Sequence, residues 1–146
     1  LAVSDQIIVM DAGRIAQAGT PQQLYEHPAS EFVAGFMGEA MLFDGQALAD
    51  GTVRLGPLRV QPRQPVAPGA VKVAVRPEAW EVVPAGVGEL AATVAKSAYL
   101  GSLREYTFDT ELGAILVVSA DVARVWQTGE AVSLRLAGHG LSVVAA

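Results

Sequence analysis

The chain has 146 residues, 51% of them hydrophobic and 17% charged, with a formal net charge of −5 and no cysteine. That apolar content supports a packed core and excludes a disordered chain. The negative charge disfavours nucleic acid or anionic lipid as a partner, because counterion release needs clustered Lys and Arg. The missing thiols exclude disulfides and thiolate chemistry.

Taken from the start, Gln6-Ile7-Ile8-Val9-Met10-Asp11 is a β-rich run. Ala12-Gly13 supplies a turn and Arg14-Ile15-Ala16-Gln17-Ala18-Gly19 the return, which predicts a hairpin. Two short helices follow. Thr20-Pro21-Gln22-Gln23 has a capping Thr, Pro at the first helical position and Gln three residues after the cap. Pro28 ends that helix; Ser30 caps the next, where Phe32, Val33, Phe36 and Met37 recur at helical spacing and Gly38 is the expected stop.

From Met41 the apolar period changes to two. Val53 and Leu55, Leu58 and Val60, then Val71, Val73 and Val75 each share a strand face, and Lys72, Ala74 and Arg76 share the opposite one. Later come Ala114-Ile115-Leu116-Val117-Val118, Val132 with Leu134 and Leu136, and Leu141 with Val143. Asp50-Gly51, Gly56-Pro57, Pro84-Ala85-Gly86, Thr128-Gly129 and Gly138-His139-Gly140 read as turns, and Gln61 to Pro68 as a Pro-rich loop. Short strands at this spacing predict a mainly β barrel or sandwich. One helical interruption is expected, capped by Ser119, with Val122, Val125 and Trp126 on one face and Gly129 at its end. The organisation is therefore residues 1–39, a hairpin plus two helices finishing another domain, and 40–146, a small OB-like β domain. A start at Leu1 rather than Met suggests a piece of something longer. No apolar run reaches the roughly 18 residues of a membrane span.

Catalytic chemistry finds no foothold. His27 and His139 are far apart, without metal-ligand spacing, and each reads as an exposed loop residue. No Gly-x-Ser-x-Gly elbow is present. Ser102 has no base at recognisable spacing, and Glu78, Glu81, Glu89, Glu105, Asp109 and Glu111 read as solvated strand faces. Neither Lys72 nor Lys96 follows a glycine, so no P-loop can cradle nucleotide phosphates. No catalytic, cofactor-binding or metal-binding residue is therefore assigned. One set stays open: Arg104, Tyr106 and Phe108 share a strand face. That face is core or, as the alternative, a ligand or partner surface, with a stand-alone OB-like module binding a small anion or single-stranded nucleic acid as the corresponding function.

The stretch from Leu1 to Gly38 resembles the end of the nucleotide-binding domain of ABC importer ATPases. The matching residues are Leu1 to Met10, Gly13-Arg14-Ile15, Gln17, Gly19-Thr20-Pro21, Leu24-Tyr25, Pro28, Phe32-Val33 and Phe36-Met37-Gly38. The rest resembles the transport-associated OB-like domain called TOBE. Val73-Ala74-Val75-Arg76-Pro77-Glu78, Tyr99-Leu100-Gly101 with Glu105-Tyr106-Thr107-Phe108, and Gly129-Glu130 before Val132-Ser133-Leu134 carry that resemblance, in this order. Arg76, Pro77, Glu78 and Gly101 are thus structural motif residues; Pro77 ends ladder pairing after Val75, and Arg76 and Glu78 are expected to pair at the surface. The resemblance implies an accessory domain that pairs two ATPase subunits as a homodimer, offers a platform for regulatory ligands and takes no part in hydrolysis. It implies ATP and Mg in the longer subunit, permease partners reached through the ATPase core, no nucleic acid, and a cytoplasmic position on the inner face of the cell membrane. The Phe36 to Ala40 passage and the strands after it are most similar to ferric-iron importers.

Overall fold

The computed structural model describes residues 6–11, 14–36, 40–63, 65–138 and 140–145. The chain divides into two compact units. One takes the chain up to Leu55, Arg59–Val75 and the residues from Leu141 on; the other takes Gly56–Leu58 and Arg76–Gly140. This division does not follow the 39/40 boundary, because the first unit joins the hairpin and helices to a β-sheet.

In the first unit, β1 (Ile7–Asp11) pairs antiparallel with β2 (Arg14–Gly19), as the two β-rich runs predict. The turn expected at Ala12-Gly13 lies outside the described residues. Helix α1 (Pro21–Glu26) starts where the capping pattern places it. Thr20 Oγ1 accepts from Gln23 N at 3.1 Å and Gln23 Oε1 accepts from Thr20 N at 2.9 Å, so two orphan amides are satisfied reciprocally. Helix α2 (Glu31–Phe36) begins after Ser30, whose Oγ accepts from Val33 N at 3.3 Å; its expected stop at Gly38 lies outside the described residues. Val9, Leu24 and Val33 bury against one another, flanked by Ala16.

The sheet of this unit runs β12-β6-β3-β4-β5, where β3 is Met41–Ala47, β4 Val53–Leu55, β5 Leu58–Val60, β6 Gly69–Val75 and β12 Leu141–Ala145. Val71, Val73 and Val75 are buried, as their period-two spacing requires. The other face of β6 is not uniformly wet: Ala74 is buried too, while Lys72 reaches Asp44 Oδ1 at 2.6 Å. Ser142 Oγ donates to Glu26 O at 2.8 Å and so ties β12 to the end of α1.

The second unit is one antiparallel sheet in the order β10-β9-β8-β11-β7. Here β7 is Trp80–Pro84, β8 Leu90–Tyr99, β9 Arg104–Thr110, β10 Gly113–Ser119 and β11 Ala131–Leu136. The sheet curls until β10 comes back near β7, the beginning of a barrel. Leu90, Val94, Tyr106, Phe108, Ile115, Val117, Val132 and Leu134 fill its interior.

The helix expected between Ser119 and Gly129 does not form; residues 120–130 are irregular. Ser119 Oγ does accept from Asp121 N, at 3.2 Å, and Asp121 Oδ1 from Arg124 N, at 3.3 Å, as a helix start would. The next amides bond elsewhere. Trp126 N donates to Tyr106 Oη at 3.3 Å, and Gly129 N donates to Val94 O at 2.7 Å, which continues the edge of β8. Trp126 is buried while Val125 is 41% exposed, so the two do not share a face. Tertiary partners outbid a short helix that is marginal by itself.

Candidate functional site

The Arg76-Pro77-Glu78 triplet enters the second unit through a 3-10 turn at Pro77–Ala79. Pro77 removes an amide and so ends the ladder after Val75, as expected. A latch forms against the turn before β12. Arg76 N donates to Gly140 O at 2.8 Å, Ala79 N to Arg76 O at 2.9 Å, and Ala137 N to Ala79 O at 2.7 Å. Gly140 sits at φ +78, and a Cβ there would come within 3.0 Å of Ala79 Cβ, so both backbone conformation and space call for glycine. The expected surface position of Arg76 needs correction. Arg76 is 2% exposed; Pro77 and Ala79 are buried beside it, and only Glu78 faces solvent. A guanidinium is rarely placed so deep. Its burial with Pro77 and Ala79 leaves Glu78 as the one side chain of the triplet that faces solvent.

Gly101 lies in the connection between β8 and β9, at φ +88, where a side chain would be strained. Leu100 N donates to Leu103 O at 2.8 Å across it. The residues around this turn are unusually apolar for their exposure: Tyr99 is 61%, Leu100 55% and Leu103 37% exposed.

Of the Arg104, Tyr106 and Phe108 face, the two rings point inward. Tyr106 and Phe108 are buried, with centroids 5.5 Å apart and planes tilted by 33°. The Tyr106 hydroxyl donates to Arg124 O at 3.4 Å and accepts from Trp126 N, so it fastens the 120–130 loop over the sheet. Arg104 lies half-buried at the rim. Its Nη1 donates to Ser97 Oγ at 3.4 Å, and its guanidinium stands 5.2 Å from the Tyr99 ring. A second cation–π pair, Arg124 over Trp126 at 4.0 Å, closes the loop's outer side. Tyr106 and Phe108 are thus core, while Arg104 is left at the rim.

Elsewhere the titratable groups sit on strand faces and turns. Glu81 Oε2 accepts from Arg135 Nε at 2.9 Å across β7 and β11. Asp50 accepts from the Thr52 hydroxyl at 2.6 Å and the Thr52 amide at 2.9 Å, and these two bonds hold its carboxyl below the ordinary carboxylate range. Asp44 beside Lys72 raises that ammonium above its ordinary value. His27 Nε2 stands 3.3 Å from Arg63 Nη1; His139 lies outside the described residues. Among the described residues no three His, Asp or Glu side chains group as metal ligands, and no helix is long and apolar enough to cross a membrane.

Residues 73–144 match the family described as the TOBE domain. This stretch is a TOBE domain. Outside it the similarity continues across nearly the whole chain. It is 39% identical over 149 residues to the Fe(3+) ions import ATP-binding protein FbpC of Brucella abortus (strain 2308), covering 99% of this chain and 42% of that protein. The corresponding protein of Rhizobium etli is 40% identical over 151 residues, with the same coverage. The chain therefore spans about two fifths of the length of these relatives. In structure, it resembles the cytoplasmic molybdate-binding protein ModG, solved with molybdate bound: TM-score 0.55 and 16% identity, over 70% of this chain and 94% of that one. At that identity the likeness concerns the fold, which is mainly β and OB-like. The TOBE resemblance was legible in the sequence. The exposed apolar tip at Leu100 and Leu103 was not singled out, although two leucines flanking a Gly-Ser turn, where polar residues are usual, marked it.

Proposed function

We propose that this chain is the C-terminal, non-catalytic part of the ATP-binding subunit of an ABC importer, with ferric iron as the transported substrate. Residues 1–39 then close the nucleotide-binding domain, and 40–146 form an accessory domain that pairs two subunits as a homodimer and offers a platform for a regulatory ligand. ATP and Mg belong to the longer subunit, as do the permease contacts, and the assembly sits on the cytoplasmic face of the membrane. The observation that carries this reading is the end-to-end similarity to Fe(3+) import ATP-binding proteins over 99% of the chain, next to a sequence with no Gly-Lys phosphate loop. The alternative, a stand-alone module binding a small anion or single strands, drew on the barrel-like pattern and on the Arg104, Tyr106 and Phe108 face; burial of Tyr106 and Phe108 takes those two rings away from a base.

Phosphate release from ATP by the purified chain tests the reading. It should stay at the buffer blank with Mg present; turnover removed by substitutions in this chain would overturn it.

A further inference from the structure

The β8–β9 hairpin reaches beyond its sheet. Strand β8 pairs with β11 only up to Thr93, opposite Ala131; Val94 then bonds Gly129 and Glu130. From Lys96 to Tyr99 the strand keeps β9 on one side, and no described strand or loop hydrogen-bonds to its other edge. Residues 96–103 are all exposed. The bond from Leu100 N to Leu103 O sets the antiparallel alternation. Ala98 and Leu100 turn their main-chain groups to β9, while Ser97 and Tyr99 turn theirs outward. An open edge of this kind, next to the exposed Tyr99, Leu100 and Leu103, is a template for another strand.

We infer, resting on the homodimer reading above, that this edge is where a second copy of the chain docks, strand to strand and antiparallel about a two-fold axis at Ala98. The spacing is self-complementary. Ser97 of each copy meets Tyr99 of the other in a hydrogen-bonded pair, which gives four main-chain bonds in all. Ala98 then faces its own image at the close, non-hydrogen-bonded position, where a small side chain is needed. Small Ser97 lies across from large Tyr99. Lys96 lies across from Leu100 of the second copy, so its stem covers an apolar side chain and no like charges meet. An acidic peptide drawn to Lys96 and Arg104 is the competing occupant, and it would leave the chain monomeric.

Sedimentation equilibrium of the 146-residue chain, with three variants, decides. The natural chain should dimerise. Ser97→Pro removes an outward amide and no main-chain bond to β9, only the long 3.4 Å side-chain bond from Arg104, so its far-UV circular dichroism should be unchanged and its dimer at least about tenfold weaker. Leu100→Lys sets two cations face to face and should weaken the dimer by about three- to tenfold. Adding Lys96→Glu to Leu100→Lys should restore it, which only this register provides. Should Ser97→Pro misfold, the charge pair alone decides. A dimer indifferent to both changes overturns the edge and leaves the homodimer reading standing. A natural chain that stays monomeric to about millimolar concentration, the strength of a weak contact, removes self-association itself.

Discussion

Tyr106 shows how one side chain serves both core and loop. Its ring packs on Phe108, and its hydroxyl takes the Trp126 amide and gives a bond to Arg124 O. Replacing it with Phe keeps the ring and strips the hydroxyl. A buried amide at Trp126 then loses its acceptor, a loss of about 1–3 kcal/mol. Urea unfolding of Tyr106→Phe should give an unfolding free energy lower by that amount, read as a lower midpoint with the m-value retained. A stability equal to the natural chain would mean that water replaces the hydroxyl and the loop is fastened elsewhere. Arg76 teaches a related lesson. Period two placed it opposite Val75 on an outward face, yet its strand ends there, and the chain folds it inward with Pro77 and Ala79.

At the scale of elements, the turn joining β3 to β4 is organised by Asp50. Its carboxylate accepts from the Thr52 hydroxyl and amide, with Arg59 at 3.4 Å adding attraction. These partners favour the charged form and lower its pKa in the folded state. A carboxyl lowered on folding stabilises the fold above its unfolded pKa, and the contribution disappears as pH falls through the folded value. Melting temperatures of the natural chain and Asp50→Asn should therefore differ most near neutrality and converge at acid pH. A gap constant over that range would show that the Thr52 bonds do not depend on charge. Because the site is exposed, added salt should weaken the Arg59 share first. The β8–β9 hairpin carries the complementary lesson. A strand that outlasts its neighbour leaves main-chain groups open, and the apolar residues at its tip tell where an edge partner fits.

For the whole molecule, each unit has its own buried cluster and its own hydrogen-bonded sheet. Folding should then be independent of nucleotide. A ligand that binds the native state raises the unfolding temperature by mass action. Mg-ATP at millimolar concentration should leave the melting temperature of this chain unmoved; a rise that grows with ATP would reveal a nucleotide site and count against the accessory reading.

Sequence by itself determined the mainly β class, the hairpin, the start of α1 and the Val71-Val73-Val75 face, because these follow from local periodicity and from capping atoms a few residues apart. Only the tertiary structure decided which way a strand faces. Arg104, Tyr106 and Phe108 share one side in any strand, and it was β10, β8 and the 120–130 loop that turned the two rings inward. It likewise decided that residues 119–129 are not helical. Helix caps and spacing are local and weak, whereas Val94 and Tyr106, distant in sequence, offer those same amides better-placed acceptors.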